Sequence, residues 1–189
     1  MSSNTTTYKL LLHHGTDDLS TNSILDSGFD YPARKRDDHW LGNGIYFYRE
    51  DVEQALIWSY IKFRKNRECQ EICVLQTLVE VEEDNFLNLD SRGGMERLEK
   101  FLKEIKELTA SIKLKTTPVK LRHLIMGMLP QEYKVIQRTF PVKSIFDEID
   151  LFNQMDLRLQ GVQVCVRNKG VITGDTDVVV RKGLNRDSA

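Results

Sequence analysis

Apolar residues cluster in short segments that alternate with polar, glycine-containing turns. In these segments β-branched and aromatic residues either alternate with polar ones or run together, which is typical of half-buried and fully buried strands. The first segment, residues 8–12, is predicted to stop at the polar cluster His13–Thr16. The longest segment, residues 72–81, predicts a central strand, and the next one, residues 86–89, is its candidate partner. The predicted strands cover residues 8–12, 45–48, 72–81, 86–89, 162–166 and 178–180.

Other segments place apolar residues three and four positions apart, which is the spacing of an amphipathic helix. Gly28 follows the first of them and suits a left-handed helix end, while Glu50 and Asp51 precede the second, where a helix N-terminus favours negative charge. The third predicts a packing face made of Met95, Leu98, Leu102, Ile105 and Leu108. The predicted helices cover residues 20–27, 50–66, 95–108, 119–129 and 130–136, the last with Pro130 at its first position.

The order of these elements predicts an α+β fold. Strands and short helices come first, a helical block follows over residues 95–140, and strands return at the end. We expect the helical block to be an insertion between elements of one sheet.

The composition is that of an ordinary globular chain. Of its 189 residues, 40% are hydrophobic and 29% charged, and a chain of this size buries roughly 70% of its unfolded surface without needing disulfides or metal. Cys69, Cys73 and Cys165 cannot all pair, which argues against a secreted disulfide framework. No signal peptide or membrane span is apparent. We expect a single cytoplasmic domain over residues 1–189, with a disordered tail at 1–7 and no membrane partner.

The charges are balanced in total but segregated along the chain. The chain has 27 basic and 28 acidic residues, which excludes a general nucleic-acid coat protein. Residues 92–122 nevertheless hold nine basic residues against four acidic ones, and further basic residues gather at 34–36 and 62–67. A local basic surface is therefore compatible with the neutral total.

Two short motifs point to a known superfamily. His14-Gly15-Thr16 follows the first strand, and Gly42-Asn43-Gly44-Ile45-Tyr46-Phe47 follows about thirty residues later, before a helix that contains Ala55. In order and spacing the pair resembles the PARP-like, diphtheria-toxin-type ADP-ribosyltransferases, which transfer ADP-ribose from NAD+. The resemblance covers the first sixty residues well and the last thirty loosely, and it implies a split β-sheet core that binds NAD+ as co-substrate, without a metal.

The resemblance implies roles for the first motif. His14 matches the histidine that hydrogen-bonds the adenosine ribose, and Gly15 matches the glycine whose backbone N–H and C=O pair with the nicotinamide carboxamide. A glycine suits that position because a side chain would block close backbone approach. Thr16 supplies a hydroxyl for the same amide.

The second motif and the helix after it supply aromatic rings. Tyr46 occupies the family's stacking position, where an aromatic face holds the planar nicotinamide, and Gly44 completes the cofactor-binding positions. A second aromatic residue comes from the following helix in the family. Here Ile57, Trp58 and Tyr60 are available, and Trp58 is our choice.

Gln163 departs from the family pattern. The segment 163–168 resembles the strand on which the family carries its catalytic glutamate, and Gln163 stands at the matching position. Glutamine offers an acceptor dipole without the charge that would stabilise a developing cation, so we expect a single transfer rather than chain elongation. A carboxylate could instead come from Glu148, Asp156 or Asp175, and spacing does not choose among them.

Each of these residues alone has an ordinary structural interpretation. A histidine at a strand end is often structural, Tyr46 suits a core, and Gln163 suits a half-exposed strand. Residues 42–44 lack a third glycine and lead into a strand, unlike a Rossmann fingerprint. Cys69 and Cys73 do not combine with histidines at zinc-finger spacing. The motifs together, rather than any residue alone, favour a catalytic constellation of His14, Tyr46 and Gln163.

The leading hypothesis is a mono-ADP-ribosyltransferase that modifies a macromolecule. Arg34, Lys35 and Arg36 lie in the loop that covers NAD+ in the family and favour a nucleic-acid acceptor, with RNA preferred. Free-standing members of this size resemble bacterial toxins or phage-defence effectors, which implies an inhibitory antitoxin protein. The alternatives are transfer to a protein, hydrolysis of NAD+, and a catalytically silent module that binds NAD+ or ADP-ribose.

Overall fold

The structure is a computed structural model, and it describes residues 5–32, 39–106, 117–141 and 160–184. Within these ranges the chain forms seven strands and four helices, as an α+β fold requires. The strands are β1 (Thr7–Asp17), β2 (Ile45–Arg49), β3 (Glu71–Glu82), β4 (Phe86–Asn88), β5 (Val135–Pro141), β6 (Gln160–Val166) and β7 (Asp177–Gly183). The helices are α1 (Asp18–Ser27), α2 (Val52–Phe63), α3 (Arg92–Glu104) and α4 (Pro118–Met128).

The strands form one sheet in the order β4-β5-β6-β2-β1-β3-β7. All neighbouring pairs are antiparallel except β4 and β5. The β1–β3 ladder is long and regular, from Thr7 opposite Glu82 to Asp17 opposite Ile72. The β1–β2 ladder pairs only Leu12 with Arg49 and His13 with Tyr48. The ladder between β1 and β2, near the centre of the sheet, is therefore the shortest in the sheet.

Apolar side chains cover both faces of the sheet. On one face Leu12 and Phe47 pack with Phe29, which follows α1. On the other face Ala55 of α2 packs against Tyr48, while α3 and α4 cover the β4–β5–β6 side with a separate cluster. That cluster includes Leu98, Phe101, Ile125, Met126 and Ile136.

The first two helices begin and end within three residues of the predicted bounds; α1 begins at Asp18, and α2 ends at Phe63. Asp17 caps α1 by accepting from the Ser20 amide at 2.8 Å, and Asp51 caps α2 by accepting from the Gln54 amide at 2.9 Å. Gly28 ends α1 with φ at 80°, a left-handed conformation that favours glycine. The predictions for residues 20–28 and 50–66 are confirmed in this part of the chain.

Two predictions about strands are wrong. The first strand does not stop before His13, because β1 continues to Asp17 with Gly15 opposite Val74 of β3. Residues 86–89 do not pair with the central strand; Phe86 lies opposite Val135 in a parallel ladder. The reason is that β3 already has β1 on one side and β7 on the other, so neither edge is open to β4.

The helix predicted from Pro130 is also wrong. Val135 begins β5, which lies between β4 and β6, and Val135 and Ile136 are both fully buried on opposite faces of the sheet. Burial on two sides produced an apolar run that imitates helical spacing. The helical block consequently ends near Met128 rather than at residue 140.

The packing face of α3 differs from the predicted stripe. Leu98 and Ile105 are buried as expected, but Phe101 takes the place assigned to Leu102, which is 38% exposed. Met95 is 45% exposed. Leu108 lies outside the described residues.

Candidate active site

A cavity of about 420 Å³ opens where β1 and β2 separate. Its size is ordinary for a small-molecule site. Residues from both faces of the sheet reach it, because His14 and Phe47 point to the α1 face while Tyr48 and Gln163 point to the α2 face. The lining comprises His14, Gly15, Thr16, Ser20, Ser23, Ile24, Gly28, Phe29, Asp30, Pro32, His39, Trp40, Gly44, Ile45, Tyr46, Phe47, Tyr48, Trp58, Lys62 and Gln163.

The backbone of Gly15 faces this opening. The amide of Glu50 donates to the carbonyl of Leu11 at 3.1 Å, which shows that odd-numbered residues of β1 direct their backbone groups towards β2. In an antiparallel strand every second residue does the same. The β1–β2 ladder ends after His13 and Tyr48, and we call the opening between the two strands beyond this point the split. The N–H and C=O of Gly15 point into the split instead of to a strand partner.

His14 bridges the split with its side chain. Its Nδ1 lies 2.7 Å from the carbonyl oxygen of Tyr46. A carbonyl only accepts, so Nδ1 carries the proton and donates. The pKa of His14 is lowered to about 4, mainly by burial; the charge of Lys62 also lowers it, while the hydrogen bond to the Tyr46 carbonyl and the charge of Asp17 partly oppose the shift. At neutral pH the ring is therefore neutral, and Nε2 is a hydrogen-bond acceptor.

Gly15 is also required by the packing of α2. A Cβ at this position would lie 2.0 Å from the carbonyl oxygen of Ala55 and 3.2 Å from Cβ of Ser59. The same glycine thus lets the helix approach the strand and leaves its backbone open to the cavity. Thr16, the next residue, is buried and lines the cavity.

Tyr46 has its hydroxyl and its ring in different environments. The hydroxyl donates to the carbonyl of Gly42 and accepts from the amide of Leu41, both at 2.8 Å. The ring stacks on His39, with centroids 4.8 Å apart and planes 21° from parallel. His39 is a cavity residue that the sequence analysis missed, because it lies in a connection with no hydrophobic periodicity.

Gly44 has a packing reason to be glycine. A Cβ there would lie 2.5 Å from Sγ of Cys165 and 2.7 Å from the carbonyl oxygen of Val166. Cys165 itself is buried, and burial raises the pKa of its thiol to about 12, so the thiol is inert.

The helix α2 contributes Trp58 and Lys62, one turn apart, to the cavity wall. Trp58 is half-buried, whereas Tyr60 on the same helix is 43% exposed. The sequence predicts a basic surface at residues 62–67 but gives no sign that Lys62 reaches the cavity. Its charge is one cause of the lowered pKa of His14.

Gln163 lies on β6 opposite Tyr48 of β2. Its Nε2 is 3.5 Å from the Tyr48 hydroxyl, which leaves Oε1 as an acceptor for a ligand. Burial raises the pKa of Tyr48, so this hydroxyl stays protonated at neutral pH.

The structure brings together part of the predicted constellation. His14, Gly15, Thr16, Gly44, Tyr46, Trp58 and Gln163 all line one cavity. Of the alternative carboxylates, Asp175 is exposed and absent from the lining, while Glu148 and Asp156 lie outside the described residues. Arg34, Lys35 and Arg36 also lie outside them.

Two kinds of feature are absent from the described residues. Among residues 5–32, 39–106, 117–141 and 160–184, no group of three or more histidine, cysteine or acidic side chains could hold a metal ion. No helix within the same ranges is long and apolar enough to cross a bilayer.

Comparisons with known proteins assign no activity. No family model matches the chain. An uncharacterized protein of Methanocaldococcus jannaschii is 35% identical over 82 residues, which are 43% of this chain and 37% of that protein. The match thus spans little more than a third of the archaeal protein's length.

Proposed function

We propose that the protein is an NAD+-dependent mono-ADP-ribosyltransferase that modifies a macromolecule, with RNA as the favoured acceptor. One observation carries the proposal: the backbone of Gly15 and the neutral ring of His14 face a single cavity at the split of the sheet. All residues of the two motifs that resemble the ADP-ribosyltransferase superfamily, except Gly42 and Asn43, line this cavity.

The chemistry of NAD+ fits the groups at the split. A carboxamide has one acceptor oxygen and a donor NH2, which complement the N–H and C=O of one residue such as Gly15. A ribose hydroxyl can donate to Nε2 of His14, because Nδ1 already holds the ring proton. The half-buried ring of Trp58 offers an apolar wall for the nicotinamide.

In the proposed reaction the bond between ribose C1′ and the nicotinamide nitrogen breaks, and a bond forms between C1′ and the acceptor. The bond electrons leave with nicotinamide, and the acceptor's proton passes to water. Oε1 of Gln163 would stabilise the positive charge on the ribose as a dipole. Among the described residues that line the cavity, Asp30 alone carries a carboxylate, and this group lies 3.0 Å from Nζ of Lys169. A glutamine in this setting suits one transfer rather than polymer formation.

The proposed biological role follows from the resemblance. A transferase that modifies RNA would act as a toxin or antiviral effector in the cytoplasm, under the control of an inhibitory antitoxin protein. Arg34, Lys35 and Arg36 would contact the acceptor.

The test is incubation with NAD+ labelled on the ADP-ribose, in the presence of RNA, DNA or protein. We expect nicotinamide release and label on RNA. Gln163→Ala should slow transfer about tenfold to a hundredfold, and Gln163→Glu should speed nicotinamide release. Gln131→Glu, at an exposed turn, is the matched control and should change neither. Absence of both nicotinamide release and label would falsify the proposal.

The amide at position 163 favours a second candidate, a silent module that binds NAD+ or ADP-ribose. Calorimetry that shows NAD+ binding without turnover, unchanged in Gln163→Glu, would identify this module. Nicotinamide release without label on any macromolecule would instead identify an NAD+ hydrolase, and label on protein alone a protein-directed transferase.

A further inference from the structure

A cluster of two aromatic rings and one arginine stands at the edge of the cavity. Trp40 and Phe140 meet edge to face with centroids 4.8 Å apart. The guanidinium carbon of Arg122, on α4, is 5.0 Å from the Trp40 ring and 5.9 Å from the Phe140 ring. We call these three residues the aromatic platform. They join three separate parts of the chain.

Arg122 differs from Arg92, Arg138 and Arg181 in its partners. Arg92, Arg138 and Arg181 each have a carboxylate within 4.0 Å. Within the described ranges Arg122 has no such ion pair, and its Nε is buried without a hydrogen-bond partner. A guanidinium that rests on aromatic rings keeps the N–H groups along its edge for an anion, and phosphate matches them well.

The platform adjoins the proposed NAD+ site. Trp40 is half-buried and lines the same cavity as His14, Tyr46 and Gln163. Phe140 and Arg122 extend the surface from Trp40 towards β5 and α4. A molecule bound on the platform would therefore lie next to the ribose that reacts.

We propose that the aromatic platform binds the acceptor as a single-stranded nucleic acid, with a base stacked on Trp40 and a phosphate held by Arg122. The role of the bound strand as acceptor rests on the proposed function, whereas the binding itself does not depend on the transfer reaction. Aromatic rings that accept bases, together with a cation for the backbone, are the general means of binding single strands. An acidic peptide would need only the cation, whereas the platform offers two rings as well.

The experiment measures binding of a fluorescent 12-nucleotide single strand by anisotropy, without NAD+, as RNA and as DNA of the same sequence. Arg122→Ala and Phe140→Leu should each weaken binding about tenfold. Arg122→Lys keeps the charge but loses the planar group and should weaken binding severalfold. Lys120→Ala is the matched control, because residues two apart on a helix point to opposite sides, and it should change binding less than twofold.

Calorimetric titration with NAD+ separates this proposal from the proposed function. We expect the Arg122 variants to bind NAD+ within twofold of wild type, which also shows that they fold. The platform proposal is overturned if the wild type binds neither strand, or if Lys120→Ala weakens binding as much as Arg122→Ala. Tighter binding of RNA than DNA assigns the acceptor as RNA, and the reverse assigns it as DNA. If a variant loses NAD+ binding and transfer activity together, that result tests the proposed transfer reaction and not the aromatic platform.

Discussion

His14 uses its two ring nitrogens for two purposes. Nδ1 holds β2 through the carbonyl of Tyr46, at the point where the main-chain ladder has stopped. Nε2 is then fixed as the acceptor. Burial keeps the ring neutral by lowering its pKa to about 4, so the tautomer and the charge are both set before any ligand arrives.

The lowered pKa predicts a pH-dependent stability. In the unfolded chain His14 takes up a proton near its ordinary pKa of 6.5, but in the folded protein it does so only near 4. The unfolded state therefore gains protons first as the pH falls through this window, and the free energy of unfolding drops by about 3 kcal/mol between pH 6.5 and 4. Urea unfolding across that range measures the drop.

The variant His14→Gln isolates this contribution. Glutamine can still donate to the Tyr46 carbonyl but does not titrate, so its stability should fall less steeply from pH 6.5 to 4. Other titrating groups are common to both proteins and cancel in the difference. Parallel curves for the variant and the wild type would contradict the assignment.

The sequence predicted which residues line the cavity better than it predicted what each does. The resemblance pointed to Tyr46, but not to the use of its hydroxyl in holding Leu41 and Gly42. Gly44 likewise has a packing cause in Cys165 and Val166, which lie more than a hundred residues later. Contacts of this kind join distant segments, and no local pattern contains them.

At the scale of elements, Gly15 couples α2 to β1. The closest approach is between the position of a Gly15 Cβ and the carbonyl oxygen of Ala55, a backbone atom that no rotamer change can move. The helix carries Trp58 and Lys62 to the cavity. The position of these side chains therefore depends on a missing methyl group in the neighbouring strand.

Gly15→Ala should destabilise the fold by roughly 1–3 kcal/mol or more, as overpacking does. It should also weaken NAD+ binding, because α2 must move away from the strand. Gly127→Ala is the matched control: a Cβ there meets nothing within 4 Å, on a helix. The control should be neutral or more stable by about 0.5–1 kcal/mol. Thermal unfolding compares the two, and equal effects would show that Gly15 is not constrained.

The ends of α1, α2 and α4 lie within three residues of their predicted bounds, whereas strand partners were predicted poorly, for a physical reason. Caps such as Asp17 and Asp51 act within three residues. The pairing of β4 with β5 instead depends on which sheet edges remain open once β1 and β7 flank β3. This pairing depends on the arrangement of the whole sheet and cannot be predicted from the sequence of residues 86–89 alone.

At the scale of the molecule, the sheet has two well-connected sides and a narrow middle. The β1–β3 ladder and the β5–β6 ladder are each long. Between these sides, β1 and β2 share two residue pairs. The cavity occupies the place where further pairs would have formed, with Gly15 facing Tyr46.

Hydrogen–deuterium exchange tests this opening with nicotinamide as the probe. In the free protein the amide of Gly15 should exchange faster than that of Thr16, which pairs within the β1–β3 ladder. Saturating nicotinamide should slow exchange at Gly15 and leave α3 unchanged. Slow exchange at Gly15 in the free protein would show that its amide does not face an opening.

The short ladder between β1 and β2, with its two residue pairs, also affects how long the protein resists degradation in a cell. A ligand that bonds to Gly15 on β1 and contacts Tyr46 on β2 would take the place of the missing strand pairs. Its binding would then stabilise the native state by an amount that grows with the logarithm of the ligand concentration once this exceeds Kd. On the proposed function, the supply of NAD+ would set both the rate of this enzyme and its resistance to proteolysis, so a cell depleted of the dinucleotide would also lose the protein that consumes it.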